Sequence, residues 1–330
     1  MCSEPDSEWS GHEPVMTAEV VRIFAGAPEG IVVDATVGGG GHSERILEGD
    51  SSRRIVGFDR DPAALSAAGT ALARFGSRCQ LVRSDFSRLA QVASDLGIAA
   101  VAGVLVDLGV SSHQFDVPER GFSYRADARL DMRMDPDAAR SAWDVVNTTT
   151  PDELVQILAR GGEDRFASRV GAAIVRNRPL HTTYELAEAV LSGIPAYARR
   201  GGGHPAKRSF QAIRIEVNGE LDALRSVLEA AVRLLVPDGR LVVLSYHSGE
   251  DRIVKSFITR HETGGCTCPV GLPCACGAQP LLARLNRSPL RPSAAETALN
   301  RRAASARLRA AVRLSTAPTQ TDPSSRSELR

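Results

Sequence analysis

The sequence contains no apolar run that approaches the roughly 20 residues of a membrane-spanning helix. Its first ten residues are acidic (Glu4, Asp6, Glu8), whereas a secretory signal begins with basic and then apolar residues. We therefore expect a cytoplasmic protein that makes no membrane contact. With 330 residues, 43% of them hydrophobic, the chain can bury one large core or a core with an appended domain.

Cysteine is scarce, and four of the six cysteines lie in one short segment: Cys266, Cys268, Cys274 and Cys276. The C-x-C-x5-C-x-C spacing could place four thiolates around zinc, but zinc ribbons usually separate the members of each pair by two to four residues. A disulfide is the least expected state in the cytoplasm. We predict reduced thiols in a loop over residues 264–278, keep structural zinc as the alternative, and assign no metal to the functional site.

A strong excess of either charge is also missing, since the net charge is +1. The charge is nevertheless unevenly distributed. Residues 160–214 contain ten Arg or Lys against four acidic residues, and residues 284–330 contain ten Arg against three. This asymmetry suggests a polyanionic partner, because Arg pairs with phosphate in a fixed geometry. Solvated helix faces are the alternative explanation.

The segment over residues 31–42, IVVDATVGGGGH, indicates a cofactor loop at the end of a buried strand. Glycines allow the backbone to come close to a ligand. A second apolar run ends at Asp59, at the distance where nucleotide-binding units place a ribose-binding acid. The first glycine comes too late for a G-x-G-x-x-G turn, which favours S-adenosylmethionine over NAD. An NAD-dependent oxidoreductase and a ligand-free glycine turn remain alternatives.

Further apolar runs over 79–83 and 101–107 also end near carboxylates. Together with the helical segments between them, they predict parallel strands that are buried on both faces. The sequence thus predicts an α/β, Rossmann-like fold of the class I S-adenosylmethionine-dependent methyltransferase type. Asp34, Asp59, Asp85 and Asp107 should gather at the carboxyl edge of its sheet, where ligands of such folds bind.

The strand and helix alternation stops after residue 116. The following segment has a helical pattern, with helix caps predicted at Thr150 and Thr182, until an amphipathic helix over about 220–235 and a strand over 239–246. We therefore predict a methyltransferase domain in two parts, over 11–116 and 216–310, an inserted helical substrate-recognition domain over 117–215, and a disordered tail over 311–330.

The residues expected to bind the substrate follow the fourth strand, where residues 107–114 place polar groups at the sheet edge. Residues 120–124 and 130–135 mix aromatic, basic and acidic side chains, which suits an unstacked base. Packing of these aromatics between the insertion and the sheet is the alternative.

The motifs, in this order, resemble the MraW/RsmH family of ribosomal RNA small-subunit methyltransferases, which methylate N4 of a cytosine in 16S rRNA near the decoding site. They are HEPVM at 12–16, DLGVSS at 107–112, RGFSY at 120–124, LDMRMD at 130–135, GEDRFA at 162–167, HPAKRSFQAIR at 204–214 and SYHSGEDRIVK at 245–255.

The resemblance implies an S-adenosylmethionine site with Asp59 on the ribose, Phe86 on the adenine and the backbone of residues 40–42 along the methionine. Asp107 and Ser111 are the implied catalytic residues, with Asp131 as a further acceptor for the amine and His247 as a possible base. The full set of implied cofactor contacts is Gly40, Gly41, His42, Asp59, Phe86, Asp107 and Gln114.

The implied partner is 16S rRNA in the small ribosomal subunit, and no obligate protein partner is inferred. Phe122, Tyr124 or Tyr246 would stack on the target base. Residues predicted to contact the RNA are Arg120, Phe122, Arg133, Lys207, Arg208 and Arg214. A methyltransferase for DNA bases is disfavoured, because DLGV stands where those enzymes carry an Asn/Asp/Ser-Pro-Pro-Tyr/Phe motif. A non-catalytic ribosome-assembly factor remains an alternative.

Overall fold

A computed structural model of the chain describes residues 14–163, 165–200, 204–269 and 275–315, apart from the side chains of Ser112 and His113. The strands are β1 Ile31–Asp34, β2 Arg54–Asp59, β3 Cys79–Arg83, β4 Val101–Asp107, β5 Leu235–Ser245, β6 Leu282–Arg284 and β7 Arg307–Arg313. The α-helices are α1 Thr17–Ala25, α2 Gly41–Gly49, α3 Pro62–Leu72, α4 Leu89–Asp95, α5 Ser112–Asp116, α6 Ala142–Thr148, α7 Pro151–Arg160, α8 Ala167–Arg176, α9 Thr183–Gly193, α10 Lys207–Asn218, α11 Glu220–Leu234, α12 Ser248–Glu262 and α13 Ala294–Leu299.

Within the described residues, the strands form one sheet in the order β3-β2-β1-β4-β5-β7-β6. The first five strands of this order are parallel, whereas β7 runs antiparallel to both β5 and β6. This arrangement confirms the Rossmann-like class, and the parallel strands carry apolar side chains because helices cover both faces. Strand order reverses between β1 and β4, so a ligand crevice is expected at their carboxyl ends.

The predictions of β1 to β4 are confirmed, but the later strands differ. Strand β5 begins at Leu235 rather than Gly239, since Leu235 pairs with Val101 before a register shift at Gly103. Strands β6 and β7 were not predicted. Strand β7 also contradicts the predicted start of a disordered tail at residue 311, because residues 311–313 belong to it. Residues 316–330 lie outside the described residues.

Two apolar clusters fill the two sides of the sheet. One joins β4 and β5 to α11 and α12, and the other packs α1, α2 and α3 against the opposite face. Helix α1, with Val20 and Phe24 buried, was missed by the sequence reasoning. None of the helices in the described part of the chain is long and apolar enough to span a membrane.

The helical segment between β4 and β5 buries a third apolar cluster of its own, made of residues between Phe122 and Ile213. Its helices begin as predicted, because Thr150 accepts a hydrogen bond from the N–H of Glu153 and Thr182 forms a capping box with Glu185. The segment stands over the carboxyl ends of β1, β2 and β4, and a cleft separates it from the sheet.

Candidate active site

The cleft has a volume of about 1860 Å³. It is lined from the sheet side by the loops after β1, β2, β3, β4 and β5, and from the other side by the helical segment. Its wall includes Pro14, Val15, Gly38, Gly39, Gly41, His42, Asp59, Arg60, Asp85, Phe86, Asp107, Ser111, Gln114, Phe122, Tyr124, Lys207, Arg214, Tyr246 and His247. Three of the four carboxylates expected at this edge line the cleft. The fourth, Asp34, lies behind it and accepts a hydrogen bond from Ser43 Oγ at 2.6 Å.

The glycine loop after β1 turns the chain from the strand into α2. Gly38 and Gly40 have φ values of 51° and 90°, which favour glycine. Gly41 lines the cleft as predicted, and a Cβ there would approach Pro14 Cγ to 2.4 Å. Gly40 does not line the cleft, because its missing Cβ would face Leu72. Its φ of 90° gives it a role in the turn, and its contact with the cofactor stays a prediction.

Asp59 closes the second strand beside this loop. Its Oδ2 accepts the N–H of Gly38 at 3.1 Å, and its Oδ1 accepts the N–H of Asp61 at 2.9 Å. Burial raises the pKa of Asp59 to about 6, although these two hydrogen bonds act in the opposite direction. Each carboxylate oxygen keeps acceptor capacity for a further donor, such as a ribose hydroxyl.

Phe86 follows β3 and presents its ring to the same end of the cleft. The guanidinium of Arg60 lies 5.9 Å from the ring centroid and pairs with Asp85 at 3.2 Å. An apolar ring beside hydrogen-bonding groups suits a purine, as the sequence predicted for Phe86.

Asp107 is the centre of the polar cluster at the end of β4. The hydroxyl of Tyr246 donates to its Oδ1 at 2.8 Å, and Nδ1 of His42 lies 3.5 Å from its Oδ2. Burial raises the pKa of Asp107 to about 7, so that both protonation states of its carboxyl are accessible near neutral pH. Sequence reasoning had named Tyr246 for base stacking only and had missed its bond to Asp107.

His42 is buried and lies beside Oδ2 of Asp107, the carboxyl oxygen that Tyr246 does not contact. Its Nε2 lies 2.9 Å from the carbonyl oxygen of Val15, which can only accept, so Nε2 carries the ring proton. Burial lowers the pKa of His42 and favours the neutral ring. The lone pair of Nδ1 then faces Asp107, and together the two groups can share a single proton.

Ser111 and Gln114 begin α5. The hydroxyl of Ser111 accepts the N–H of Gln114 at 3.2 Å, and the amide oxygen of Gln114 accepts the N–H of Ser111 at 3.1 Å. The Gln114 side chain is buried, and its Nε2 donates to Asp61 Oδ2 at 2.9 Å. The observed contacts of Ser111 thus give it a helix-capping role, while both residues line the cleft.

Asp61 organises the site, although the sequence had indicated it only as the start of α3. Its Oδ1 caps α3 through the N–H of Ala63, and its Oδ2 accepts both Gln114 and Arg120. These partners lie far apart in the sequence. No local pattern could have revealed the hydrogen bonds from Gln114 and Arg120. The Asp-Pro start of α3 indicates only the helix cap.

Three of the predicted phosphate-binding arginines form ion pairs within the chain, and their contact with RNA stays a prediction. Arg120 pairs with Asp61, Arg133 pairs with Asp131, and Arg214 pairs with Glu220. Phe122 lines the cleft but is 5% exposed, and it packs in the apolar cluster of the helical segment. Tyr124 stacks on His204 with ring centroids 4.3 Å apart.

Lys207 and Arg208 differ from these arginines, because both are exposed at the start of α10 and Lys207 forms part of the cleft wall. They are the predicted RNA contacts whose side chains project into solvent. The structure therefore brings six of the seven predicted cofactor residues, all except Gly40, to one cleft, and it leaves Lys207 and Arg208 exposed at the start of α10.

The residues present fit an adenosine that carries a methionine tail. Phe86 offers an apolar surface, Asp59 offers acceptors, and the glycine loop offers closely approachable backbone. Asp107, His42 and Tyr246 lie together on the same cleft, at the carboxyl end of β4.

Comparisons with known proteins agree with this arrangement. The sequence model of the MraW methylase family matches residues 9–314. A protein named ribosomal RNA small subunit methyltransferase H from Heliobacterium modesticaldum is 50% identical over 309 residues, which cover 92% of this chain and 98% of the relative. A protein of the same name from Symbiobacterium thermophilum is 51% identical over 308 residues, covering 92% of this chain and 96% of the relative. The chain belongs to the MraW methylase family and is a methyltransferase that depends on S-adenosylmethionine.

Proposed function

We propose that this enzyme methylates the exocyclic N4 of a cytosine in 16S rRNA of the small ribosomal subunit, near the decoding site. The names of its relatives support ribosomal RNA of the small subunit as the substrate. The single observation that carries the choice of an amine is the Asp107 carboxyl, held between Tyr246 and His42 at the inner end of the cleft.

The chemistry of the amine explains why such a carboxyl is needed. The lone pair of N4 is delocalised into the pyrimidine ring, so the amine is a weak nucleophile unless an acceptor orients its N–H. Asp107 is an acceptor in its ionised form, and its raised pKa of about 7 suits it to take up the proton that the amine must lose. His42 Nδ1, at 3.5 Å, can share that proton.

When bound, S-adenosylmethionine supplies a methyl group on a positively charged sulfur. The chain's own contribution is to position the acceptor and to hold its proton. Tyr246 keeps Oδ1 of Asp107 occupied by a donor, so that Oδ2 and its remaining lone pairs face His42 and the cleft. Rate enhancement then comes mainly from orientation in a partly closed cleft.

Methylation of a ring carbon is disfavoured by the residues at hand. Attack at pyrimidine C5 requires a cysteine thiolate that first adds to C6, and no cysteine is found among the described residues that line the cleft. A carboxylate acceptor at the end of β4 suits a nitrogen nucleophile instead.

The helical segment over 117–215 is the proposed substrate-recognition domain. It carries the Tyr124 ring and the exposed Lys207 and Arg208 on the side of the cleft opposite the sheet. Lys207 and Arg208 would hold backbone phosphates, which position the RNA without reading its sequence. The target cytosine would leave its stack and enter the cleft, where Tyr124 or Tyr246 could lie against it. This substrate also implies a cytoplasmic site of action.

The test is methyl transfer from labelled S-adenosylmethionine to small subunits that lack the modification, followed by nucleoside analysis. We expect N4-methylcytidine with the wild type, little product with Asp107→Asn, and normal product with the control Asp95→Asn, since Asp95 lies on exposed α4 and pairs with Gln91. A different methylated nucleoside would refute the substrate atom. Cofactor binding without transfer, beside an active control enzyme, would favour a non-catalytic assembly factor.

A further inference from the structure

The loop that joins α12 to β6 brings three cysteines together away from the cleft. The sulfur atoms of Cys266, Cys268 and Cys276 all lie within 4.8 Å of one another. Within the described part of the chain, no residue between His247 and Asn300 lines the cleft. The three sulfurs therefore lie outside the described lining of the cleft.

The separation of one pair of sulfurs is close to that of zinc thiolate sites. A Zn–S bond of about 2.3 Å and a tetrahedral angle place two sulfur ligands about 3.8 Å apart. The sulfurs of Cys266 and Cys276 are 3.6 Å apart. The three side chains thus already occupy positions that one ion could bridge.

Backbone N–H groups of the loop contact two of the three sulfurs and hold them in place. The N–H of Cys268 donates to Cys266 Sγ at 3.4 Å, and the N–H of Ala275 donates to Cys268 Sγ at 3.4 Å. A thiolate, rather than a thiol, is the ligand for zinc.

The backbone of the loop is built to hold its two arms in contact. Gly264 has a φ of 62°, and a Cβ at this position would lie 2.5 Å from the backbone of Gln279. The N–H of Gly265 donates to the carbonyl of Arg260, and the N–H of Leu281 donates to the carbonyl of His261. Both arms are thereby fixed to the last turn of α12.

We propose that Cys266, Cys268 and Cys276 bind a zinc ion that joins the two arms and fixes the start of β6 beside the end of α12. A structural zinc site is tetrahedral, so one further ligand would complete the three thiolates. Binding releases the thiol protons. The proposal is independent of the nucleotide that the enzyme methylates.

The first experiment measures zinc in the full-length protein, purified under reducing conditions without chelators. Elemental analysis should give about one zinc per chain, and Cys268→Ser should abolish most of it. The matched control is Cys79→Ser, which removes a thiol in β3 outside the cluster and should leave the zinc content unchanged. Equal zinc in the wild type and Cys268→Ser would overturn the proposal.

A second measurement does not depend on how well a variant folds. The wild-type protein is stripped of zinc with a chelator and titrated with cobalt(II) under reducing conditions. A thiolate-to-cobalt charge-transfer band that zinc removes again supports the proposal. The absence of this band, or a Cys266–Cys276 disulfide in protein alkylated at lysis, overturns it.

Discussion

Tyr246 and Asp107 form the contact on which the proposed chemistry depends most directly. The pKa of Asp107 is about 7. Burial raises this pKa, and the hydrogen bond that the phenol of Tyr246 donates lowers it. Removing this donor should raise the pKa further, so that more of the carboxyl is protonated at neutral pH.

We therefore expect Tyr246→Phe to reduce kcat at neutral pH by about 10- to 100-fold, the range for a hydrogen bond to a charged group. The acidic limb of the pH profile should move to higher pH. The control is Tyr197→Phe, since Tyr197 is 66% exposed. Measuring kcat against pH for the wild type, Tyr246→Phe and Tyr197→Phe tests this prediction. An acidic limb at the same pH in Tyr246→Phe as in the wild type would exclude a role for the ionised Asp107.

Lys207 and Arg208 give a second prediction at the residue scale. Replacing both with Ala should weaken RNA binding and reduce the slope of log K against log salt by roughly 1.5 to 2, because two phosphate contacts are lost. Affinity for S-adenosylmethionine should stay unchanged. The control pair is Arg225→Ala with Arg233→Ala on exposed positions of α11. Equal salt slopes in all three proteins would remove α10 from the RNA interface.

Site residues were predictable from the sequence where they end a strand. Asp59 and Asp107 close apolar runs, and parallel strands bring such ends together. The sequence could not show which arginines are engaged by other side chains. The partner of Arg120 is Asp61, which caps α3, and nothing local to either residue indicates this pair.

At the scale of elements, the packing of α1 on β4 depends on a glycine. A Cβ on Gly103 would lie 2.5 Å from Cε1 of the buried Phe24, so the helix could not keep its distance from the strand. Gly69, within α3, is different, because its Cβ would meet only Leu81 Cδ1 at 3.9 Å.

We expect Gly103→Ala to lower the free energy of unfolding by about 1 to 3 kcal/mol through overpacking. Gly69→Ala should raise it by up to about 1 kcal/mol, since alanine favours the helix interior. Urea unfolding of both variants and the wild type measures these differences. Equal effects of the two substitutions would mean that α1 does not pack closely on β4.

The strength of the local sequence signal explains which elements could be predicted. Strands β1 to β4 are continuous apolar runs, and the capped helices α7 and α9 carry local signals. Strand β7 contains Arg307 and Arg309, which pair with Asp251 on α12. In the sequence, these charged residues interrupt the apolar run that would indicate a buried strand. Strand β6 has only three residues, and such a short strand leaves no periodic pattern.

At the scale of the whole molecule, burial of carboxyls at one edge should make stability depend on pH. The pKa values of Asp34, Asp59 and Asp107 are raised to about 6, 6 and 7. The folded state therefore binds these protons more tightly than the unfolded chain, in which Asp titrates near pH ~4. The stabilisation that these protons give the folded state is complete below pH ~4, and it is lost as the pH rises through the pKa values of the folded state. His42, whose pKa is lowered by burial, acts in the opposite direction.

The net expectation for the ligand-free protein is a fall in the free energy of unfolding between about pH 5 and pH 7, because the three carboxyls together outweigh His42. Asp107→Asn should make this loss clearly smaller, because it removes the carboxyl with the highest pKa. Urea unfolding at a series of pH values provides the measurement. A free energy that rises over this interval would mean that these carboxyls are not buried in solution.

The position of the helical segment within the chain also bears on how the protein is made. Strand β4 ends at Asp107, and its neighbour β5 begins only at Leu235. At a translation speed of about 5–20 residues per second, the edge of β4 waits on the order of ten seconds for its partner. An unpaired apolar edge invites aggregation during that time. We expect the emerging helical segment, which buries its own apolar cluster, to fold before the sheet closes, so that slow translation of residues 108–234 would prolong the interval of risk.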